Sequence, residues 1–240
     1  MGRKAGHRKM QAGKDRIWVG GDIPVTLRRS SRARRMTLRV ARAGGEVVLT
    51  LPSRASLRDG QAFAESRAEW LRQVRADMPA LQPVAHGVQL PVEGVPRLIR
   101  PAETRRVELT ADLLLVPQGR PPGVVVEAWL KHLAQMRLIA ACDRHAARLG
   151  RPFRALALRD TRSRWGSCTH DGRLMFSWRL AMAPPEVLDY VAAHEVAHLA
   201  HMDHSPAFWA ATERLLPGHA RHRAWLRRHG HELLAWRFRI

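Results

Sequence analysis

The stretch His194-Glu195-Val196-Ala197-His198 sets two imidazoles four positions apart, with a carboxylate directly after the first. On an α-helix four residues advance about 400°, so His194 and His198 share one face, one turn apart. That separation lets two imidazoles bind one tetrahedral metal ion at nitrogen–metal distances of roughly 2.0–2.1 Å. Glu195 then stands where a carboxylate can take a proton from a water that the metal activates. The chain holds 13 His, so a chance pattern must be weighed, and the flanks argue against it. Pro184-Pro185-Glu186 suits a helix start, where proline is tolerated and an acid meets the positive end of the dipole. Val187, Leu188, Val191 and Ala192 recur at helical spacing, which predicts a buried helix carrying the motif.

A catalytic zinc site needs a third protein ligand and an open fourth position. His201 lies on the face of His194 but about 10 Å along the axis of a continued helix, too far for three donors to converge. His204 is the better candidate, because Ser205-Pro206 makes an N-cap and N1 pair for a new helix running to about Leu216. A turn at Met202-Asp203 then brings His204 back beside the first two ligands, with Glu213 as a further alternative.

The elements that must hold this site are read from periodicity. Residues 1–16 read as a disordered basic tail. Residues 17–122 form an N-terminal β-rich region. Ile17 to Val19 and Ile23 to Leu27 flank Gly20-Gly21 as a hairpin, and Met36 to Val40 and Val47 to Leu51 form two further strands. Between them runs Arg28-Arg29-Ser30-Ser31-Arg32-Ala33-Arg34-Arg35, a polyanion site or a charge-blunted strand edge. One helix is expected from Ser56 to about Met78, with a small β meander between it and Gly123. Residues 123–240 form the second region. A helix from Val124 to Leu149 stops at Gly150, then come strands at 155–162 and 173–178, the motif helix, and a basic C-terminal helix. The fold class is α+β.

Composition sets the outer bounds. The 240 residues, 45% hydrophobic, suffice for a sizeable core. Cys142 and Cys168 make no disulfide framework, which suits a reducing compartment, and no apolar run approaches a membrane span. A cytoplasmic protein without a membrane partner is expected. A net charge of +20 points to a nucleic acid, a nucleotide or another polyanion, although a solvated arginine-rich surface explains it equally well.

Several uncommon residues occur in a fixed order. They are Arg162-Ser163-Arg164-Trp165-Gly166-Ser167-Cys168, Ser177-Trp178-Arg179-Leu180, Ala183-Pro184-Pro185-Glu186, Asp189-Tyr190-Val191, and the histidine motif running through His204-Ser205-Pro206 to Phe208-Trp209. In this order they resemble the YgjP-like metallopeptidases, zincin-type bacterial proteins related to SprT-like and WLM metallopeptidases. The resemblance spans most of residues 17–236 and is most specific from Arg162 to Trp209. It implies a zincin-like core with a mixed sheet and an active-site helix, and one Zn²⁺ per chain on His194, His198 and His204. It also implies Glu195 as general base and a peptide or protein substrate. Val196 replaces the leucine frequent at that position, an apolar exchange.

Other roles around the site rest on placement. Tyr190, one turn before His194, and His170 and Arg164, in the preceding loop, are candidate donors to a developing oxyanion or to substrate, with packing and loop structure as their simpler roles. Leu174 to Trp178 is a candidate edge strand for an extended peptide. Asp189 and Asp203 are candidates to orient the ligand imidazoles. Two alternatives keep the same metal: a hydrolase of nucleotide phosphoanhydrides, and a DNA-associated protease of the SprT-like kind.

Overall fold

The structure, a computed structural model, describes residues 16–41, 44–76, 78 and 80–239; apart from Arg16, the expected tail lies outside them. The chain packs into two compact units, Met1–Met78 and Pro79–Ile240.

The first unit contains β1 (Arg16–Val19), β2 (Ile23–Ser30), β3 (Thr37–Val40), β4 (Val47–Pro52), α1 (Leu57–Glu65) and α2 (Ala68–Ala76). The sheet order is β1-β2-β4-β3, with β2 and β4 parallel and the outer pairs antiparallel. Gly20 and Gly21 hold positive φ at the β1–β2 turn, as the hairpin signal requires. Val19, Ile23, Val25, Val47, Leu49 and Leu51 alternate to one face and bury with Ala64 and Leu71 of the helices. The single helix expected over 56–78 is two. The Ser66 hydroxyl donates to the Phe63 carbonyl at 2.8 Å, giving the backbone a local partner that ends α1 while the apolar spacing carries on into α2.

The second unit begins with β5 (Gln82–Pro83), β6 (Gln89–Val92), β7 (Val95–Ala102), β8 (Glu108–Leu109) and β9 (Leu113–Pro117). β6 to β9 form a four-stranded sheet of the order β6-β7-β9-β8 with β7 and β9 parallel, so it is not a simple meander. Leu90, Val92, Ile99, Leu114 and Val116 bury in one core with Val126, Leu130 and Leu138 of α3 (Pro122–Leu149). The boundary expected at residue 122 thus does not coincide with the observed division, because these strands share a core with α3.

After Gly150, left-handed at φ 71°, come β10 (Ala155–Arg159), β11 (Gly166–Cys168) and β12 (Arg173–Ser177). Their order is β10-β12-β11, parallel then antiparallel. β12 is therefore the interior strand and not the edge strand expected; β10 and β11 are the edges of this sheet. A 3₁₀ turn, Trp178–Met182, leads to α4 (Pro185–Ala197), α5 (Pro206–Leu215), α6 (Ala220–Leu234) and β13 (Trp236–Arg237), which pairs with β5.

Candidate metal centre

α4 is apolar around most of its circumference. Val187, Leu188, Tyr190, Val191, Ala192, Ala193, Val196 and Ala197 are all buried, so the helix is enclosed by the core and not laid on its surface. Asp189 fastens it to α3: its carboxylate accepts from Arg144 at 3.0 Å and lies 2.9 Å from Nε2 of the buried His145. Burial raises the Asp189 carboxyl, but the His145 hydrogen bond and the His145 and Arg144 charges outweigh it and hold it below the ordinary carboxylate range. Asp189 therefore anchors the helix and makes no hydrogen bond to the imidazoles of His194, His198 or His204 among the described residues. Asp203 accepts from the Ser205 backbone N–H at 3.4 Å and makes no hydrogen bond to them among the described residues, although its charge reaches His198.

The helix stops at Ala197, with His198 as its C-terminal cap. α5 restarts at Pro206, and the Ser205 hydroxyl accepts from Phe208 N–H at 3.5 Å, as the Ser-Pro pair predicted. The intervening turn returns His204 to the helix. Donor atoms of His194, His198 and His204 all lie within 4.8 Å of one another. Nε2 of His194 and Nε2 of His204 are 3.2 Å apart. Two ligands on a tetrahedral zinc at roughly 2.0–2.1 Å stand about 3.3 Å apart, so this pair spans one edge of such a site. His198 Nδ1 is 2.9 Å from the His201 carbonyl, which fixes that ring and presents Nε2 inward. His201 contributes only this carbonyl. Glu213 accepts from Gly218 N–H at 2.9 Å and stands beside His219, outside the cluster.

Phe208 and Trp209 wall the site. Phe208 is 4.4–4.9 Å, centroid to centroid, from all three imidazoles, and Trp209 lies 5.7 Å from His204 and 5.8 Å from His194. Burial lowers His194 to about 3, helped by the charges of His198, His204, Arg223 and His219. His198 is lowered too, chiefly by burial. Neutral imidazoles are the form that binds metal, so the donor set fits a divalent cation.

Glu195 is buried, and burial pushes its carboxyl up to about 8, with the Arg164 charge pulling the other way. Its carboxylate lies against β11 at Gly166, where a Cβ would fall 2.5 Å from Oε1 and 2.6 Å from Cγ. Gly166 is a site residue that sequence reasoning missed; glycine inside a strand is the signal of such a close approach. Residues 166–168 are strand, and burial raises the Cys168 thiol to about 11, which leaves it unreactive.

The three secondary candidates divide. The Tyr190 ring is 5.9 Å from that of His194 and 5.9 Å from that of His219, on which it stacks. Burial raises its hydroxyl to about 12, so it stays a donor. Arg164 is exposed and is felt at Glu195 through its charge. His170 is exposed and lines a cavity of about 600 Å³ with His198, Leu199 and Met202. His219 is buried between Tyr190 and Trp209.

Three histidines gathered from a helix, its cap and the following turn, with a buried glutamate that receives no hydrogen bond among the described residues, define a candidate hydrolytic metal centre. Residues 34–229 match the family model described as YgjP-like, metallopeptidase domain, and the chain belongs to that family. A solved structure, the metallopeptidase zymogen of Pyrococcus abyssi abylysin, is similar over 40% of this chain and 94% of that one, at 21% identity and a TM-score of 0.36. No curated protein matches the chain. Among the described residues no helix is long and apolar enough to cross a membrane.

Proposed function

We propose that the chain is a zinc-dependent metallopeptidase with a zincin-like core, holding one Zn²⁺ on His194, His198 and His204 and using Glu195 as general base. The observation that carries this reading is the convergence of three imidazoles, two of them held below their ordinary range by burial, on the helix that carries a buried carboxylate with no ion-pair partner among the described residues. Bound zinc supplies Lewis acidity toward both the attacking water and the scissile carbonyl. Glu195 takes the proton of that water on a carboxylate oxygen and passes it to the leaving amine. Tyr190, whose hydroxyl keeps its proton, is the candidate donor to the carbonyl oxygen as charge develops there. The edge of β11 not bonded to β12 offers backbone groups to an extended peptide. Cys142 and Cys168, both free, suit a cytoplasmic setting.

The test is a panel of peptides and unfolded proteins, run with wild type and Glu195→Gln while zinc content is measured. The expected result is one zinc per chain in both, with hydrolysis lower by about 10²–10⁴-fold in the variant. Full activity in Glu195→Gln would overturn the reading, and unchanged zinc affinity in His204→Ala would remove His204 as a ligand. Hydrolysis of phosphoanhydrides is a second reading, favoured by the guanidinium groups of Arg164 and Arg223, which act electrostatically on Glu195 and His194. A nucleotide arm of the same panel decides between the two.

A further inference from the structure

The sheet of the first unit has two unlike faces. Helices α1 and α2 cover one. Strand alternation turns the intervening residues to the other. The register sets Arg16, Thr26, Val48 and Arg39 in one row across β1, β2, β4 and β3, and Arg28, Thr50 and Thr37 in the next. Trp18 lies beside Pro24 on the same face and is 60% exposed. Arg16, Arg28 and Arg39 are exposed, as are Arg32, Arg34 and Arg35 in the loop from β2 to β3. Among the described residues none of these six forms an ion pair. Glu46 is the acid on this face, and it accepts from the Thr26 hydroxyl at 3.3 Å.

Arginines on the helix-covered side are used differently. Arg29 donates to the carbonyls of Ser53 and Ala55, and Arg72 pairs with Asp22 and Glu69.

We propose that this uncovered face binds single-stranded nucleic acid. Strand spacing puts Arg16 and Arg39 about 14 Å apart, with Arg28 about 7 Å along the strands from that row, a grid that meets several phosphates of one strand. Threonine hydroxyls add phosphate hydrogen bonds. Trp18 supplies the aromatic plane on which an unpaired base stacks, which a duplex does not offer. One tryptophan among arginines and threonines is too little apolar surface for a lipid face. The proposal is independent of the peptidase reading, since it names no residue of the metal centre.

The full zinc-loaded chain is titrated against a fluorescent 20-nucleotide oligothymidine by anisotropy across a salt series. Binding is expected to weaken at least tenfold in the triple variant Arg16→Gln/Arg28→Gln/Arg39→Gln. The slope of log affinity against log salt should become shallower by about 2, at roughly 0.7 per lost phosphate contact. Trp18→Ala is expected to weaken oligothymidine at least fivefold while leaving heparin binding unchanged. Should the triple variant lose its circular dichroism signature, Arg32→Gln/Arg34→Gln/Arg35→Gln together with Trp18→Ala decides. Unaltered affinity and slope in the arginine variants would overturn the proposal. So would equal affinity for poly-glutamate, which marks an acidic-protein partner, or a Trp18→Ala variant that binds oligothymidine as wild type does.

Discussion

Two buried glutamates on packed helices of the second unit meet opposite surroundings. Glu127 of α3 is 9% exposed and Glu195 of α4 is 5% exposed, so partners, not burial, separate them. Glu127 is held by Lys131 through Oε1 and by Arg239 through Oε2. Burial raises its carboxyl, but the two hydrogen bonds and the two charges outweigh it, and the group lies below its ordinary range. Glu195 receives no hydrogen bond among the described residues, and burial carries it to about 8. A carboxylate satisfied on both oxygens fastens the chain, here tying α3 to the C-terminal residues. A carboxylate left without a partner costs stability, and such perturbed groups cluster at functional sites.

The largest effect that sharpens this contrast comes from β11. Replacing Gly166 with Ala puts a methyl group where Oε1 and Cγ of Glu195 now sit, and the flexible Glu195 side chain is the part that must move. A displacement of the base by about 1 Å costs about 10²-fold in turnover. We expect Gly166→Ala to lose about that much kcat while keeping its zinc, measured by turnover and metal analysis on the same sample. Glu127→Gln, by the same assays, should turn over as wild type does. Equal losses in the two variants would break the distinction.

The helix, its histidine pair and its break were legible because they rest on short-range chemistry. The apolar positions from Val187 to Ala192 recur at helical spacing, prolines open α4 and α5, and Ser205 caps α5. Convergence of the three histidines followed from the turn between those helices. The surroundings of Glu195 were not legible, because they are made by a strand distant in sequence. Nothing local to Gly166 says that a glutamate lies on it, and nothing local to Leu174 or Phe176 says that β12 is flanked on both sides. The same holds for the unit boundary: Leu90, Ile99 and Leu114 declare that they are buried, not that α3 covers them. The break inside residues 56–78 was hidden by an apolar stripe that continues past Ser66.

Proton linkage gives the two glutamates opposite slopes in the metal-free protein. Glu195 has an ordinary value of 4.5 and a folded value of about 8. Its contribution to stability is full below the unfolded value and is lost as pH rises through about 8. Glu127 is depressed on folding. Its contribution is full above the unfolded value and is lost as pH falls through the folded one. Thermal midpoints of chelator-treated wild type, Glu195→Gln and Glu127→Gln check both signs. Glu195→Gln should gain on wild type between about pH 5 and pH 8 and hold that margin above. Glu127→Gln should trail wild type most at neutral pH and close on it in acid. Zinc should shrink the Glu195 slope, because a cation beside the carboxylate favours its charged form. A constant offset at every pH in Glu195→Gln would mean that packing, not charge, sets its surroundings.

The smallest effect concerns Arg239, whose side chain is 73% exposed where it meets Glu127. Solvent screens such a pair, and its loss is worth about 0.5–1 kcal/mol. Arg239→Gln should therefore lower the midpoint by only about 1–4 °C, because Lys131 still holds the other oxygen. It should leave zinc content and turnover at wild-type values, since Glu127 answers to its own partners and not to the metal centre. Raised salt should lower the wild-type midpoint toward that of the variant, because the lost attraction is one that ions screen. A fall in turnover in Arg239→Gln would show the two glutamates to be coupled through the packed helices that carry them.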